Sequence, residues 1–188
     1  MKRRKKAIML LAILLGVFIL FNTPMVWKWM YPIKYRTEVS AAAERFQVDP
    51  FLVLAIIRTE SDFELDKVSK KGAVGLMQIM PDTATWIADQ AGFAGVSREA
   101  LASPEINIQL GTWYLSFLLD MFEGNRVMAI AAYNAGPGKV NSWIANQQWD
   151  GTLDNLQHIP YGETRHYVQR VLYFYDRYQK IYPPNLQE

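Results

Sequence analysis

Cysteine is missing from all 188 residues, which excludes disulfides, thiol catalysis, cysteine-bound metal and a lipid-modified cysteine. Histidine is nearly missing: His158 and His166 are the whole supply, too few and too isolated to argue for a metal site. A basic excess is also missing once its location is considered. The formal net charge is +2, but five of the 20 Lys and Arg residues precede residue 7 with no acid among them, leaving 15 basic against 18 acidic residues downstream. A nucleic-acid binder would carry a basic stripe in its folded part, and no such stripe is written here. There are no internal repeats or low-complexity segments, and the length suits one domain of about 150 residues with a short appendage.

Polar side chains vanish altogether from residues 7–21, AIMLLAILLGVFILF, directly behind Lys2, Arg3, Arg4, Lys5 and Lys6. The chain then passes into the bulky NTPMVWKWMYP, which lacks the small-residue cleavage site of a signal peptide. Continued through Val26, the run reaches the roughly 20 residues of a membrane span, with Trp27, Trp29 and Tyr31 as an interfacial aromatic belt. The pattern predicts a transmembrane signal anchor over 7–26; a cleaved signal peptide is the alternative on the same residues. The positive-inside rule puts 1–6 in the cytoplasm and the rest outside. Residues 27–36 read as a linker, 37–182 as one helix-dominated domain and 183–188 as a tail.

Within that domain, Asp49 as N-cap and Pro50 at the first helical position open a helix whose last turn holds Glu60. Gly72 and Gly75 interrupt the next segment, where AVGLMQI pairs as a short strand, and Pro81 opens a helix that stops near Gly92. Ser103, Pro104 and Glu105 start the expected central helix of the core, with Ile106, Leu110, Trp113, Tyr114, Phe117, Leu118 and Met121 at helical spacing. Asn125 caps a further helix that Gly136 closes, and Pro137 opens the next. Tyr167, Val171, Tyr175 and Tyr178 fall on one face of the last.

Glu60 is the candidate for chemistry. A solvated helix-end carboxylate is its ordinary reading, but Ile56, Ile57 and Phe63 are apolar neighbours, and the negative end of the helix dipole disfavours its charge. Both effects raise its pKa, as a general acid at neutral pH requires. A two-carboxylate glycosidase needs a second acid about 5 to 10 Å away. Asp62, Glu64 and Asp66 are nearest in sequence, and none stands out as a nucleophile.

Four ordered segments, ES at 60–61, GLMQIMP at 75–81, AYNAGPGKV at 132–140 and IPYGETRHYVQRV at 159–171, resemble the motifs of soluble-type lytic transglycosylases. These carry the SLT domain of glycoside hydrolase family 23, and the likeness runs over about residues 37 to 182. It implies a mainly α, lysozyme-like α+β fold with a minimal strand segment. It also implies cleavage of the β-1,4 bond between N-acetylmuramic acid and N-acetylglucosamine in peptidoglycan, without cofactor or metal. In such enzymes one glutamate protonates the leaving oxygen, then takes the proton of the muramic acid 6-hydroxyl as that oxygen closes a 1,6-anhydro ring, so no second carboxylate need activate water.

Carried onto this chain, the resemblance makes Glu60 the acid and base. Ser69 and Gln78 hold N-acetyl groups and hydroxyls, Met80 lines the cleft, and Tyr133 stands beside the acid. Asn134 fixes the local turn, Glu163 is a buried acid orienting the network, and Tyr167 follows one turn later. Without the motifs, Ser69 reads as a turn former, Gln78 as an exposed strand residue, Met80 and Tyr133 as core, and Glu163 as an ordinary helix N-terminal acid. Gln157 departs from the pattern, where relatives carry glutamate. The implied partners are peptidoglycan strands and, through 7–26, a bacterial cell membrane crossed once with the catalytic domain facing the wall. A hydrolytic muramidase of the same fold and a non-catalytic wall-binding scaffold are the rivals. Intact motifs speak against the scaffold, and product chemistry separates the muramidase.

Overall fold

The computed structural model describes residues 2–21, 23–93, 96–184 and 186. Met1, Asn22, Ala94, Gly95 and the tail positions Asn185, Gln187 and Glu188 lie outside the described residues. Among those described, nine α-helices run in order: α1 (Lys2–Phe21), α2 (Pro24–Met30), α3 (Arg36–Phe46), α4 (Pro50–Glu60), α5 (Pro81–Ala91), α6 (Pro104–Met121), α7 (Arg126–Ala135), α8 (Pro137–Ala145) and α9 (Gly162–Ile181). Short 3₁₀ turns occupy Ala100–Ala102 and Leu156–His158.

The centre of the core is α4, not α6 as its aromatic stripe suggests. Every residue of α4 from Phe51 to Ile57 is buried, because that stretch is apolar around its whole circumference and such a helix has no face to give to water. Full burial of Leu52, Leu54, Ile56 and Ile57 stabilises the fold by roughly 1.5–3 kcal/mol each. On α6 the buried residues are Asn107, Ile108, Leu110, Gly111, Thr112, Leu115 and Leu118, whereas Trp113, Tyr114 and Phe117 are only half-buried and Met121 is exposed. Of the expected stripe, Leu110 and Leu118 are core, whereas its aromatics lie at the rim, packed against the edge of the core.

Asp49 caps α4 as its sequence position implies. One carboxylate oxygen accepts the Phe51 N–H at 2.8 Å, and the other accepts the Tyr175 hydroxyl of α9 at 2.6 Å. The cap therefore also docks the last helix, whose buried face, Thr164, Tyr167, Val168, Val171, Tyr175 and Tyr178, packs along α4. The stripe read from the sequence is this face.

Between α4 and α5 the chain forms no strand. Two isolated antiparallel bridges, Val68 to Val74 and Val74 to Ile79, stand where pairing was expected, and no sheet forms among the described residues. Asn107 of α6 explains how the loop manages. This fully buried amide accepts the Met77 N–H at 2.8 Å and donates to the carbonyls of Val74 and Leu101, both at 2.9 Å. Backbone groups that a ladder would have paired are satisfied by one side chain. Gly75 (φ +81°) lies so close that a Cβ there would meet the Asn107 Nδ2 at 2.3 Å, so the position needs glycine for both its backbone and its space.

The N-terminus departs from a single span over 7–26. Among the described residues no one helix is long and apolar enough to cross a membrane; the pair Arg3–Phe21 and Pro24–Met30, bent by 62°, passes by length and composition together. The polar-free residues 7–21 rise only about 22 Å at 1.5 Å per residue, against about 30 Å of hydrocarbon, and Pro24 starts a new helix rather than extending the old one.

Nor are residues 27–36 a free linker. α2 packs on α9: the Arg177 guanidinium sits 5.5 Å over the Trp27 ring, the Tyr31 and Tyr173 hydroxyls share a 2.8 Å hydrogen bond, and the Tyr182 hydroxyl donates to the Tyr31 carbonyl at 2.8 Å. The expected aromatic belt is divided, with Tyr31 buried against the domain while Trp29 remains 81% exposed. At the other end, Leu186 is buried and its carbonyl accepts from Arg36.

Asn107 supplies a direct test of how the loop is held. Asn107→Ala leaves one buried N–H and two carbonyls without their partner, and is expected to lower stability by about 3 kcal/mol or more. Urea unfolding of the variant against the parent checks this.

Candidate active site

Glu60 ends α4 where the core opens. Its successor Ser61 is fully buried and closes the helix: the hydroxyl donates to the Ile57 carbonyl at 3.1 Å and accepts the Phe63 N–H at 3.1 Å. Asp62 and Phe63 then turn through the left-handed region, which returns Phe63 to the core and turns Asp62 out to pair with Arg58. The Glu60 side chain projects from this corner into a cavity of about 350 Å³.

That cavity gathers most of the residues singled out by sequence. Glu60, Ser69, Gln78, Met80, Tyr133, Asn134 and Glu163 all line it, joined by Lys70 and Lys71. Tyr167 stands behind Glu60 and donates its hydroxyl to Oε1 at 2.7 Å. Of the acids nearest in sequence, Glu64 and Asp66 are exposed and, like Asp62, do not line the cavity. A larger cavity of about 500 Å³ lies between α3, the start of α4 and the C-terminal segment; its Asp49 is already committed to the α4 cap and to Tyr175.

Burial pushes the Glu60 carboxyl up to about 7; the Tyr167 hydrogen bond and the positive charges of Lys67 and Arg170 hold it back, and the nearby Glu163 charge adds to the rise. At neutral pH the group is therefore present in both protonation states. The Tyr167 and Tyr133 hydroxyls are pushed well above the ordinary tyrosine value, first by burial and then by Glu60, so both stay neutral.

The neighbours are each fixed by a specific bond. Gln78 sits at φ 50° and gives its amide hydrogens to the Lys67 carbonyl at 2.9 Å and the Gly75 carbonyl at 2.8 Å, which leaves its amide oxygen as the acceptor it can offer. Ser69 accepts the Ala73 N–H at 3.0 Å, so the turn-forming role and a place on the cavity wall coexist. Tyr133 donates to the Met77 carbonyl at 3.0 Å. Met80 is exposed at the wall rather than packed in the core.

Two assignments need correction. Glu163 is not a buried acid: it is exposed at the second position of α9, in contact with water. Asn134 lies within α7 rather than in a local turn, and its side-chain oxygen accepts the Thr164 hydroxyl at 2.8 Å, tying the end of α7 to the start of α9.

Sequence reading missed several supports. Arg170 donates to the Thr59 carbonyl at 3.2 Å, Arg165 to the Ile159 carbonyl, and Thr164 to Asn134. Thr164 and Arg165 sit inside the ETR segment, where a polar residue beside each motif acid was a usable signal; nothing along the chain connects Arg170 to Thr59.

Comparison with known proteins gives this arrangement its class. The family model described as Transglycosylase SLT domain matches residues 38–155, and the chain belongs to that family. It is 38% identical over 156 residues to the soluble lytic murein transglycosylase of Escherichia coli K12, covering 81% of this chain and 24% of that protein. It is 35% identical over 169 residues to membrane-bound lytic murein transglycosylase C of Edwardsiella ictaluri, covering 79% of this chain and 47% of that one.

Among solved structures, it is similar to the 70 kDa soluble lytic transglycosylase of Escherichia coli (TM-score 0.78, 34% identity, 86% of this chain and 27% of that one). It is also similar to an inactive mutant of lytic transglycosylase Slt from Pseudomonas aeruginosa (TM-score 0.74, 38% identity, 81% and 25%). The chain spans about a quarter of the length of these soluble relatives.

The raised Glu60 carboxyl predicts a pH-dependent stability. An unfolded chain releases this proton near pH 4.5, whereas the folded protein keeps it to about pH 7. Over that window the folded state binds more protons, so the stability this group contributes falls as pH rises and is lost above the folded pKa. Glu60→Gln removes the effect. Its melting temperature should exceed the parent's at pH 8 by several degrees, roughly 2–4 °C per kcal/mol, and match it at pH 4; thermal melts at both values check this.

Proposed function

We propose that the chain is a peptidoglycan lytic transglycosylase in which Glu60 alone moves the protons. The observation that carries this is the contrast between the two carboxyls on the cavity wall: Glu60 is half-buried and held near 7, while Glu163 is exposed. A protonated Glu60 gives its proton to the oxygen between N-acetylmuramic acid and N-acetylglucosamine, and the C1–O bond breaks. The resulting carboxylate takes the proton of the muramic acid 6-hydroxyl as its oxygen bonds to C1, closing the 1,6-anhydro ring. No water is consumed, and Glu60 ends as it began.

The remaining groups position the strand. The Tyr167 hydroxyl steadies Glu60 when it is charged. The Gln78 amide oxygen and the Ser69 hydroxyl face the N-acetyl and hydroxyl groups, Asn134 offers its amide hydrogens, and Met80 and Tyr133 wall the cleft. Glu163 and the Lys70 and Lys71 ammoniums set the charge at its mouth. Names of the relatives, murein transglycosylases both soluble and membrane-bound, support the substrate and a place in the cell envelope. We assign residues 37–182 as the catalytic domain, the bent helix pair as a membrane anchor with 1–6 inside, and the cleft as facing the wall.

Glu163 on the same wall leaves one rival, hydrolysis with that carboxylate activating water. Products separate the two. Purified peptidoglycan should release muropeptides ending in 1,6-anhydro-N-acetylmuramic acid, lighter by one water and inert to borohydride; reducing muramic acid ends would establish the hydrolytic route. Glu60→Gln should cut the release at least about 100-fold in a protein that melts no lower than the parent, and near-normal release would sink the single-acid mechanism. For the anchor, the full-length protein should stay with membranes through carbonate extraction and keep its basic N-terminus on peptide mapping; a mature chain starting beyond residue 23 would refute it.

A further inference from the structure

Next to the Glu60 cavity lies a second one of about 390 Å³ that the proton chemistry leaves without a role. Its floor is aromatic. Trp86 of α5 meets Trp113, Tyr114 and Phe117 of α6 edge to face, at 5.8, 6.2 and 5.1 Å. On α6 itself the rings of Trp113 and Phe117 lie 13° from parallel, and those of Tyr114 and Phe117 11° from parallel. These are the aromatics of α6 that lie at the rim of the core. Trp86 remains 38% exposed and Met121 41%, an arrangement that leaves large apolar area in water and marks a contact surface.

The two cavities are neighbours lined by different residues of the same segments. Met80 lines the first and Asp82, two residues on, the second; Asn134 lines the first and Pro137, three residues on at the start of α8, the second. The Tyr114 ring packs 5.5 Å from that of Tyr133. The aromatic face therefore adjoins the Glu60 cleft on the side of Met80 and Asn134.

We propose that this aromatic face is a second sugar-binding platform, which grips N-acetylhexosamine rings of the same glycan strand beyond those held in the Glu60 cleft. The proposal rests on the reading of the protein as a glycan-cleaving enzyme and deepens it. A hexosamine in a β-1,4 chain presents an apolar C–H face that lies flat on an indole or phenyl ring, while its rim of hydroxyls needs polar partners. The lining offers both: Trp86, Tyr114, Phe117 and Met121 below, and the Asp82 carboxylate and Thr83 hydroxyl at the lip. It presents no cation, so acidic lipid headgroups and the carboxylates of peptide stems find no partner in it. The cavity also falls at the size of a small-ligand site, roughly 300–1,000 Å³.

The test uses the full-length Glu60→Gln protein in detergent, which binds without cutting, titrated calorimetrically with linear N-acetylglucosamine oligomers from dimer to hexamer. Affinity should keep rising beyond the trimer. Adding Trp86→Ala, which removes the indole, or Met121→Arg, which fills the cavity from its exposed rim, should weaken hexamer binding on the order of tenfold and bring the hexamer close to the trimer. Melting curves confirm that each variant is folded, and the rim variant stands in if the first is not. A hexamer that binds no tighter than the trimer in the parent, or equally well in a folded variant, overturns the platform. No binding of any oligomer by the parent overturns the glycan reading itself, and this proposal with it.

Discussion

The rest of the site depends on holding one carboxyl half out of water at the end of a helix whose middle water never reaches. α4 is enclosed on every side from Phe51 to Ile57, so its last residue emerges where the core opens, and desolvation there is a consequence of the helix's own composition. Other features limit the cost. The Tyr167 hydroxyl gives the charged form a hydrogen bond, and Lys67 and Arg170 supply opposing field. Burial alone would fix the group as a permanent acid; pairing alone would fix it as a permanent base. The balance leaves both forms accessible, as the proposed give-and-take of one proton requires.

The facing wall is irregular backbone, and irregular backbone needs its polar groups satisfied by something other than a ladder. Asn107 meets that need from below through Met77, Val74 and Leu101, and Gln78 from within through the carbonyls of Lys67 and Gly75. Tyr133 ties the same loop to α7 through the Met77 carbonyl. The loop is thus held from three directions in a shape that presents the free face of Gln78, and the left-handed φ at Gln78 is sustained by its surroundings.

How much could be read beforehand depends on the range of each interaction. The Asp49 cap and Pro50, the start of α6 at Pro104 and the buried face of α9 are written locally and were legible. The grouping of seven residues around one cavity was legible because the motifs carry it. Long-range dependence was not: a lone asparagine in α6 carries no sign that it serves a loop thirty positions earlier, and the α6 stripe is as periodic as a core stripe although only Leu110 and Leu118 of it are buried. Whether Glu163 faces core or water turns on how α9 enters the fold, which one helix's sequence does not specify.

The docking of α2 carries a mechanical consequence. A free ten-residue tether between an anchor and its domain would let the domain wander over about 15–20 Å, sampling many heights and tilts. Here the slack is taken up: Trp27 lies under Arg177, Tyr31 is bonded to Tyr173, and Tyr182 closes over the Tyr31 carbonyl. On the proposed anchoring, the surface that held α2 would also set the distance and the angle of the cleft, so the protein would behave less like a tool on a string than like a gauge, presenting the cleft to a single layer of the material around it.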